Sequence, residues 1–241
     1  MQKPVYTLKK SSYKLCIMTA GKGTRNWYAQ FHNTNKAILP LGEKIAIEHI
    51  IDRFPKIEVV LAIGYLGQQV KDVVNAIYPD RKITFVDVPD MNKGPGYSLL
   101  CCAPHLQCPF VFSACDTIVK EIPPRPDYNW IGVSRVKDKL PYLTVATHRR
   151  QVLQVYDKGD ESATNTASIG LVGVHNYKAF WKGLSSPQNL VQGEWQDTSG
   201  LNALIPHGLF TQKFKQNFTW FDIGNTEGYE YANEFFNKNV S

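Results

Sequence analysis

The sequence predicts an α/β protein, with a parallel sheet flanked by helices in the first half and antiparallel or mixed strand pairing in the second. Between Lys14 and Asp116, short apolar runs alternate with stretches of helical or turn character. This alternation is typical of consecutive strand–helix–strand units. From about Glu121 onward, apolar runs follow one another without long helices between them, which favours antiparallel or mixed pairing. A chain of 241 residues is long enough to bury a substantial core.

The first half contains four predicted strands with three helices between them. The strands are KLCIMTA, EVVLAIGY, KITFVDV and PFVFSACD, and the helices are IAIEHIIDRF, GQQVKDVVNAIY and GYSLLCCAPHL. Because the ligands of such sheets collect beyond the carboxyl ends of the strands, two loops are candidates for a binding site. One follows KLCIMTA, and the other contains Cys115, Asp116 and Thr117.

The second half contains four further predicted strands and three helices. The strands are NWIGVSRV, YLTVATH, QVLQVYDK and SIGLVGVH, and the helices are YKAFWKGL, TSGLNALIPHG and TEGYEYANEFFNKN. No internal repeat or interdomain linker interrupts the pattern. We therefore expect an N-terminal arm over residues 1–12 and a single domain over residues 13–241.

The composition is that of a globular protein, with 43% hydrophobic and 20% charged residues. The sequence contains neither an apolar run of membrane-spanning length nor a signal peptide, so a cytoplasmic location is expected. The net charge is +6, but lysines and arginines are scattered along the chain. This distribution suits a small polyanionic ligand, and neither nucleic acid nor a membrane is an expected partner. The five cysteines are interpreted as reduced thiols.

The loop after the first predicted strand has the composition of an anion-binding site. Gly21 and Gly23 allow the backbone to approach a ligand closely, and Lys22 and Arg25 add positive charge beside them. The P-loop pattern is not met, and Asn26 stands where the dinucleotide-binding fingerprint has its third glycine. Since a glycine-rich turn can also be purely structural, the loop alone leaves both interpretations open.

Further segments follow this loop in an order that is more specific than the loop itself. They are NKAILPLGEKIAIEHII, VVLAIGYLGQQVKDVV, NKGPGYSLLCC, PFVFSACDTIV, VYDKGD and FTWFDIGNTEGYEYAN. From about Lys14 to Asn237, the chain thereby resembles the nucleotidyltransferases that activate sugar-1-phosphates and related phosphate monoesters. It departs from their pattern at Asn35, where the family has proline, and in NWYAQFHNTN, which is bulkier than the family's usual connection.

The resemblance implies a three-layer α/β/α sandwich with a mixed central sheet, the Rossmann-like nucleotidyltransferase fold that is also called GT-A-like. It implies a nucleotide-binding half at residues 13–120 and an acceptor-binding half at residues 121–241. The implied reaction moves a nucleoside monophosphate from a nucleoside triphosphate to a phosphomonoester and releases pyrophosphate, with Mg²⁺ as the cofactor. The formation of a homo-oligomer is left open.

The resemblance also implies roles for individual residues. Arg25 and Lys36 are the expected catalytic cations, and Asp116 and Asp222 are the expected Mg²⁺ ligands. The expected nucleotide-binding residues are Thr19, Ala20, Gly21, Lys22, Gly23, Thr24, Gly94, Gly96 and Ser98. The expected acceptor-binding residues are Tyr142, Lys158 and Asn165. Leu143 stands where the family has glycine, and it leaves the shape of the acceptor pocket open.

The identity of the acceptor has two sequence-level interpretations. A sugar-1-phosphate is the commonest acceptor of the proteins that the chain resembles. The segment GPGYSLL and the short chain also resemble cytidylyltransferases for phosphocholine-like phospho-alcohols, whose cationic group needs an aromatic or acidic box. The aromatic candidates for such a box are Tyr97, Trp130, Tyr142, Trp181 and Trp195.

Two functions of other classes remain as alternatives. A glycosyltransferase of the same architecture typically carries an Asp-x-Asp motif after the fourth strand, whereas this chain has Asp116, Thr117 and Ile118 there. A non-catalytic nucleotide sensor would keep the fold and lose the lysines. Arg25 and Lys36 are present, which favours the enzyme.

Overall fold

The computed structural model describes residues 12–160, 164–186, 190–191, 194–212 and 219–238. Of the predicted N-terminal arm, residues 1–11 lie outside the described residues. The strands are, in chain order, β1 (Lys14–Met18), β2 (Pro40–Leu41), β3 (Lys44–Ile45), β4 (Glu58–Ile63), β5 (Ile83–Asp87), β6 (Phe110–Ala114), β7 (Thr117–Val119), β8 (Trp130–Arg135), β9 (Thr144–His148), β10 (Gln151–Tyr156), β11 (Thr166–Val174), β12 (Leu190–Val191), β13 (Glu194–Trp195), β14 (Phe210–Gln212) and β15 (Trp220–Asp222). The helices are α1 (Trp27–Phe31), α2 (Ala46–Ile51), α3 (Gly67–Ile77), α4 (Pro95–Cys102), α5 (Tyr177–Leu184), α6 (Thr198–Ala203) and α7 (Thr226–Lys238).

A mixed sheet of nine strands, counted within the described residues, forms the centre of the molecule in the order β5-β4-β1-β6-β11-β8-β14-β10-β9. Strand β1 pairs in parallel with β4 and β6, and β4 pairs in parallel with β5. Beyond β6 the direction changes, because β11 runs antiparallel to both β6 and β8. The parallel first half and the mixed second half are therefore as predicted.

Two apolar clusters pack on opposite faces of this sheet. Leu15 and Ile17 of β1 belong to one cluster with buried residues of α1, α2, α3 and α7. Cys16 belongs to the other cluster, with buried residues of α4, α5 and α6. Because successive side chains of a strand point to opposite faces, one continuous apolar run serves both helix layers. The result is the predicted three-layer arrangement.

Several short elements were not predicted from the sequence. Strands β2, β3, β7, β12, β13, β14 and β15 are two or three residues long, and α1 has five residues. Elements of this length show no hydrophobic period, so only their pairing with distant segments defines them. Among the described residues, no helix combines the length and apolar character needed to cross a membrane.

Candidate active site

The two predicted metal-binding aspartates lie together just beyond the end of β6, a central strand of the large sheet. Asp222 ends β15, which pairs antiparallel with β7 so that Asp222 is opposite Thr117, the residue after Asp116. The N–H of Ile223 donates to the carbonyl of Asp116 at 3.0 Å. A Cβ atom added to Gly224 would lie 2.8 Å from Asp222 Oδ1 and 2.9 Å from Asp116 Oδ2. Both carboxylates therefore lie against the same glycine.

Lys36 is paired with one of these carboxylates. Its Nζ donates to Asp116 Oδ2 at 2.5 Å, and the side chains of Lys36 and Asp116 are 11% and 19% exposed. Burial by itself would lower the pKa of Lys36, but the charge of Asp116, its hydrogen bond and the nearby Cys115 together raise the pKa to about 12. Burial likewise opposes ionisation of Asp116, yet Lys36, Lys158 and Arg25 hold its pKa below the usual value. Both groups are charged at neutral pH.

The second carboxylate is oriented by neutral donors. The hydroxyl group of Tyr142 donates to Asp222 Oδ2 at 2.7 Å, and the N–H of Gly224 donates to Asp222 Oδ1 at 2.8 Å. Burial and the adjacent Asp222 carboxylate raise the pKa of Tyr142. The phenol therefore stays protonated and keeps its hydrogen bond at neutral pH.

The opening loop lies beside the carboxylates and is largely exposed. A Cβ at Gly21 would meet no atom within 4 Å, so this backbone faces open space. Gly23 has a φ of +63° and packs against the aliphatic part of Lys36, where a Cβ would approach Lys36 Cγ to 2.8 Å. A side chain at position 23 would thus displace Lys36. This packing and the positive φ together explain why the position is a glycine. Arg25 is exposed and lines the cavity that contains Asp116.

Asn35, which replaces the proline of the resembled family, is buried and connects three segments. Its Nδ2 donates to the carbonyls of Thr19 at 2.9 Å and Tyr65 at 2.7 Å. Its Oδ1 accepts from the N–H of Ala37 at 2.9 Å and caps the 3₁₀ turn that begins at Lys36. The asparagine thereby fixes the lysine to the ends of β1 and β4.

Two cavities meet at the Asp116 carboxylate. One is lined by the opening loop and the start of α4, and the other lies towards the second half of the chain. They are named the nucleotide-side and the acceptor-side cavity, after the roles that the sequence predicts for their residues. Met18, Pro95, Ala114, Asp116 and Lys158 line both cavities. The arrangement therefore offers two adjoining binding spaces, with cations and carboxylates at the junction.

Residues 15–122 match the family described as the MobA-like NTP transferase domain. The match covers β1 to β7, and therefore the opening loop, Lys36 and Asp116. It confirms the nucleotidyltransferase family, and with it the enzyme class, that the sequence predicts. A search of curated proteins found no match to the chain.

Solved nucleotidyltransferase structures share the fold over nearly the whole chain. A Bacillus anthracis protein assigned as a glucose-1-phosphate thymidylyltransferase is 18% identical with a TM-score of 0.78, over 95% of this chain and 97% of that one. A UDP-glucose pyrophosphorylase complexed with UDP-glucose is 18% identical with a TM-score of 0.76, over 94% and 99%. The CTP:phosphocholine cytidylyltransferase from Streptococcus pneumoniae is 16% identical with a TM-score of 0.74, over 93% and 99%. The TM-scores establish the common fold, and at identities this low they establish nothing further. The predicted fold class is thereby confirmed.

Some of the predicted nucleotide-binding residues line the nucleotide-side cavity, and others do not. Ala20, Gly21, Gly94 and Ser98 line it. Thr19 is buried, and its hydroxyl group donates to the carbonyl of Ala62 at 2.8 Å. Lys22 and Thr24 are exposed members of the opening loop that do not line either cavity.

The glycines at the start of α4 are contacted by a later segment of the chain. A Cβ at Gly94 would lie 2.6 Å from the carbonyl oxygen of Trp195, and one at Gly96 would lie 2.8 Å from the same atom. Both positions exclude side chains because the end of β13 packs directly on them. Glu194, which no sequence motif identifies, lines the nucleotide-side cavity next to Gly94.

On the acceptor side, Tyr142 and Lys158 line the second cavity. Asn165 does not come to it: this residue is exposed, and its carbonyl accepts the N–H of Val136 at 3.1 Å. The neighbouring Asp157 accepts a hydrogen bond from the hydroxyl group of Thr198, the first residue of α6.

The aromatic candidates for a cation box divide into buried residues and the half-buried Tyr97, Tyr142 and Trp195. Trp130 and Trp181 are buried, and their indole N–H groups donate to the backbone carbonyls of Arg125 and Leu106, each at 3.2 Å. They form part of the core and do not line the acceptor-side cavity. Trp220, which was not a candidate, lines this cavity together with Tyr142. Its position follows from the pairing of β15 with β7.

Asp197 is a further cavity residue that the sequence did not identify. It lines the acceptor-side cavity close to Lys158. Burial raises its pKa, and the nearby Lys158 opposes this effect. The only sequence signal was an aspartate immediately before a helical pattern, which is an ordinary helix cap. Among the described residues, however, no cap hydrogen bond from the helix to its side chain is present.

Proposed function

We propose that the protein transfers a nucleoside monophosphate from a nucleoside triphosphate to the phosphate of a small phosphomonoester. An oxygen of the acceptor phosphate forms a bond to the α-phosphorus. The bond from the α-phosphorus to the oxygen bridging to the β-phosphorus breaks, and pyrophosphate leaves with the electron pair. A phosphomonoester is largely dianionic at neutral pH, so the attacking oxygen needs no general base.

One observation carries this proposal: Arg25, Lys36 and Lys158 surround a carboxylate pair at the junction of two cavities. Two anions must approach each other in this reaction, so the obstacle is charge repulsion and alignment. Lysine and arginine groups that are already in place reduce the repulsion without reorganising during the reaction. In this proposal Arg25 and Lys36 bind the α-phosphate, and Lys158 binds the acceptor phosphate.

The carboxylate pair is a suitable site for Mg²⁺. Among the described residues there is no cluster of three or more His, Cys, Asp or Glu side chains that could hold a metal ion. Mg²⁺ is commonly held by one or two carboxylates together with water and substrate phosphates. Asp116 and Asp222, which lie against the same glycine, fit this description, and they would hold the ion. When bound, Mg²⁺ supplies charge neutralisation at the phosphate oxygens.

The lining of the two cavities supports the binding of one substrate by each half of the chain. The nucleotide-side cavity is lined mainly by residues before position 120, and we assign the nucleotide to residues 13–120. Most of the acceptor-side lining comes from residues after position 120, and we assign the acceptor to residues 121–241. Lys158 lines both cavities and therefore lies at the border between them, where the acceptor phosphate would meet the nucleotide.

A sugar-1-phosphate is the first candidate acceptor, and the product would then be a nucleotide sugar. A second candidate, a phosphate ester of a cationic alcohol, is favoured by the lining of the acceptor-side cavity. Tyr142 and Trp220 provide aromatic faces and Asp197 provides a carboxylate, the groups that recognise organic cations. The hydroxyl group of Thr117 donates to the carbonyl of Ile169 and that of Tyr142 donates to Asp222, so neither proton is available to a sugar hydroxyl.

The test is a pyrophosphate-release screen with each nucleoside triphosphate against glucose-1-phosphate, phosphocholine, phosphoethanolamine and glycerol phosphate, in Mg²⁺. Release that depends on both substrates supports nucleotidyl transfer. Release with no acceptor in the panel, or nucleotide binding without turnover, contradicts it and favours a sensor. If the cationic alcohol is the acceptor, Asp197→Asn raises its KM at least about tenfold. The same variant leaves turnover of a neutral sugar phosphate nearly unchanged.

A further inference from the structure

Asn26 directly follows Arg25, and it is fully buried although its side chain is polar. Its Oδ1 accepts from the N–H of Ala29 at 3.0 Å and caps α1. Its Nδ2 donates to the carbonyl of Ile223 at 3.0 Å, across 197 residues of sequence. One side chain therefore joins the opening loop to the segment that carries Asp222.

The bonds continue from Ile223 to the other carboxylate. While the carbonyl of Ile223 accepts from Asn26, its N–H donates to the carbonyl of Asp116 at 3.0 Å. A second connection runs beside the first, because the N–H of Trp27 donates to Thr226 Oγ1 at 2.9 Å. The residue after Arg25 is thus attached through a single residue, Ile223, to the segments of both aspartates.

We propose that Asn26 is a positioning residue that holds Arg25 in place relative to Asp116 and Asp222. The inference rests on the proposed function, in which Arg25 contacts the reacting phosphate. An exposed arginine side chain has many rotamers, so its precision depends on a fixed backbone. The loop around Arg25 is exposed. The neighbouring Asn26 is buried and connects this loop to the distant Ile223. A displacement of this backbone would move the guanidinium group of Arg25 away from the α-phosphate.

The chain offers a substitution that separates this bond from the helix cap. Serine caps helices about as well as asparagine, but its side chain is too short to reach Ile223. Asn26→Ser therefore keeps α1 capped and removes the distant bond. The matched control is Asn129→Ser. Asn129 is also buried, and its Nδ2 donates to Asn176 Oδ1 and to the carbonyl of His207, far from the carboxylates in the fold.

The kinetic experiment is a double-mutant cycle with Arg25→Ala, with each substrate varied in turn. We expect Asn26→Ser to lower kcat about tenfold with little change in the KM of the nucleotide, and Asn129→Ser to change neither. In the Arg25→Ala background, Asn26→Ser should have less than about a twofold effect, because the positioned group is gone. Equal effects in both backgrounds overturn the inference, as does an Arg25→Ala enzyme with an unchanged rate.

Amide hydrogen exchange tests the connection independently of turnover. Asn26→Ser should accelerate exchange both in the opening loop and at Ile223, Gly224 and Asn225, whereas Asn129→Ser should not. Unchanged exchange at this distant segment overturns the inference even if the enzyme is active. Accelerated exchange in a protein that transfers no nucleotide supports the connection and assigns the failure to the proposed function.

Discussion

The ammonium group of Lys36 lies 2.5 Å from Asp116 Oδ2, although 80 residues separate the two in sequence. Each group makes burial of the other tolerable, since the attraction between them raises the pKa of Lys36 to about 12 and lowers that of Asp116. Removing one partner would leave the other as an uncompensated, partly buried charge. Stability must therefore be measured alongside activity for any variant of this pair.

Asp116→Asn and Asp222→Asn should each abolish turnover. Each substitution removes one of the two carboxylates that would hold Mg²⁺, whereas the amide keeps the shape of the side chain. Pyrophosphate release at increasing Mg²⁺ measures the effect, and nucleotide binding should weaken less than the rate does. Asp80→Asn is the control, because this aspartate is exposed and follows α3 at a distance from the two cavities. Near-normal turnover of either active-site variant would contradict the assignment of metal ligands.

Arg25→Ala should lower kcat by more than it weakens substrate binding. Loss of one preorganised charge at a transferring phosphoryl group costs on the order of 3 kcal/mol, or about a hundredfold in rate. Arg25→Lys should recover only part of this loss, because an ammonium group does not reproduce the two-pronged contact of a guanidinium. Lys178→Ala, which removes an exposed cation from α5, is the control. A fully active Arg25→Lys enzyme would indicate that charge alone is required.

Lys158→Ala should raise the KM of the acceptor far more than that of the nucleotide. We assign this lysine to the acceptor phosphate, and a positive charge at that position contributes chiefly to binding it. Steady-state kinetics with each substrate varied in turn, together with Lys137→Ala at an exposed position, separates the effects. No kinetic change would identify Lys158 as a solvated surface residue. Equal changes for both substrates would indicate misfolding of this half.

Asn35→Asp should destabilise the protein more than Asn35→Pro. The φ of Asn35 is −69°, which proline also adopts. Proline loses only the side-chain bonds, whereas aspartate places a carboxylate against the carbonyls of Thr19 and Tyr65, which the amide of Asn35 now contacts. Loss of such buried bonds costs about 1–3 kcal/mol. Denaturant unfolding measures the difference, and an aspartate variant as stable as the wild type would refute the bridging role of Asn35.

Glu58→Gln should destabilise the protein at neutral pH and have less effect in acid. The carboxylate accepts from Lys14 and Lys82 at 2.8 and 2.9 Å, and these bonds lower its pKa. A group with a lowered folded-state pKa stabilises above its unfolded pKa, and this stabilisation is lost as the pH falls through the folded value. The difference in Tm between wild type and variant should therefore shrink below about pH 4. A difference independent of pH would mean that the charge contributes nothing.

Local patterns of the sequence determine the frame of this fold. The apolar run of β1 predicts a strand buried on both faces, and Leu15, Cys16 and Ile17 indeed serve two opposite clusters. The helical periods of α3 and α7 likewise predict these elements, because an amphipathic stripe depends only on residues three and four apart. The loop at Gly21 is visible for the same reason, since its glycines and cations are adjacent in sequence.

The tertiary structure alone decides which distant groups meet. Asp116 and Asp222 are brought together by β7 and β15, strands of three residues with no period of their own. Asp197 and Trp220 enter the acceptor-side cavity, whereas Asn165 stays outside it. These outcomes depend on pairings and side-chain contacts between segments up to about 200 residues apart. Local propensity does not encode such contacts, because they become favourable only when the whole sheet has formed.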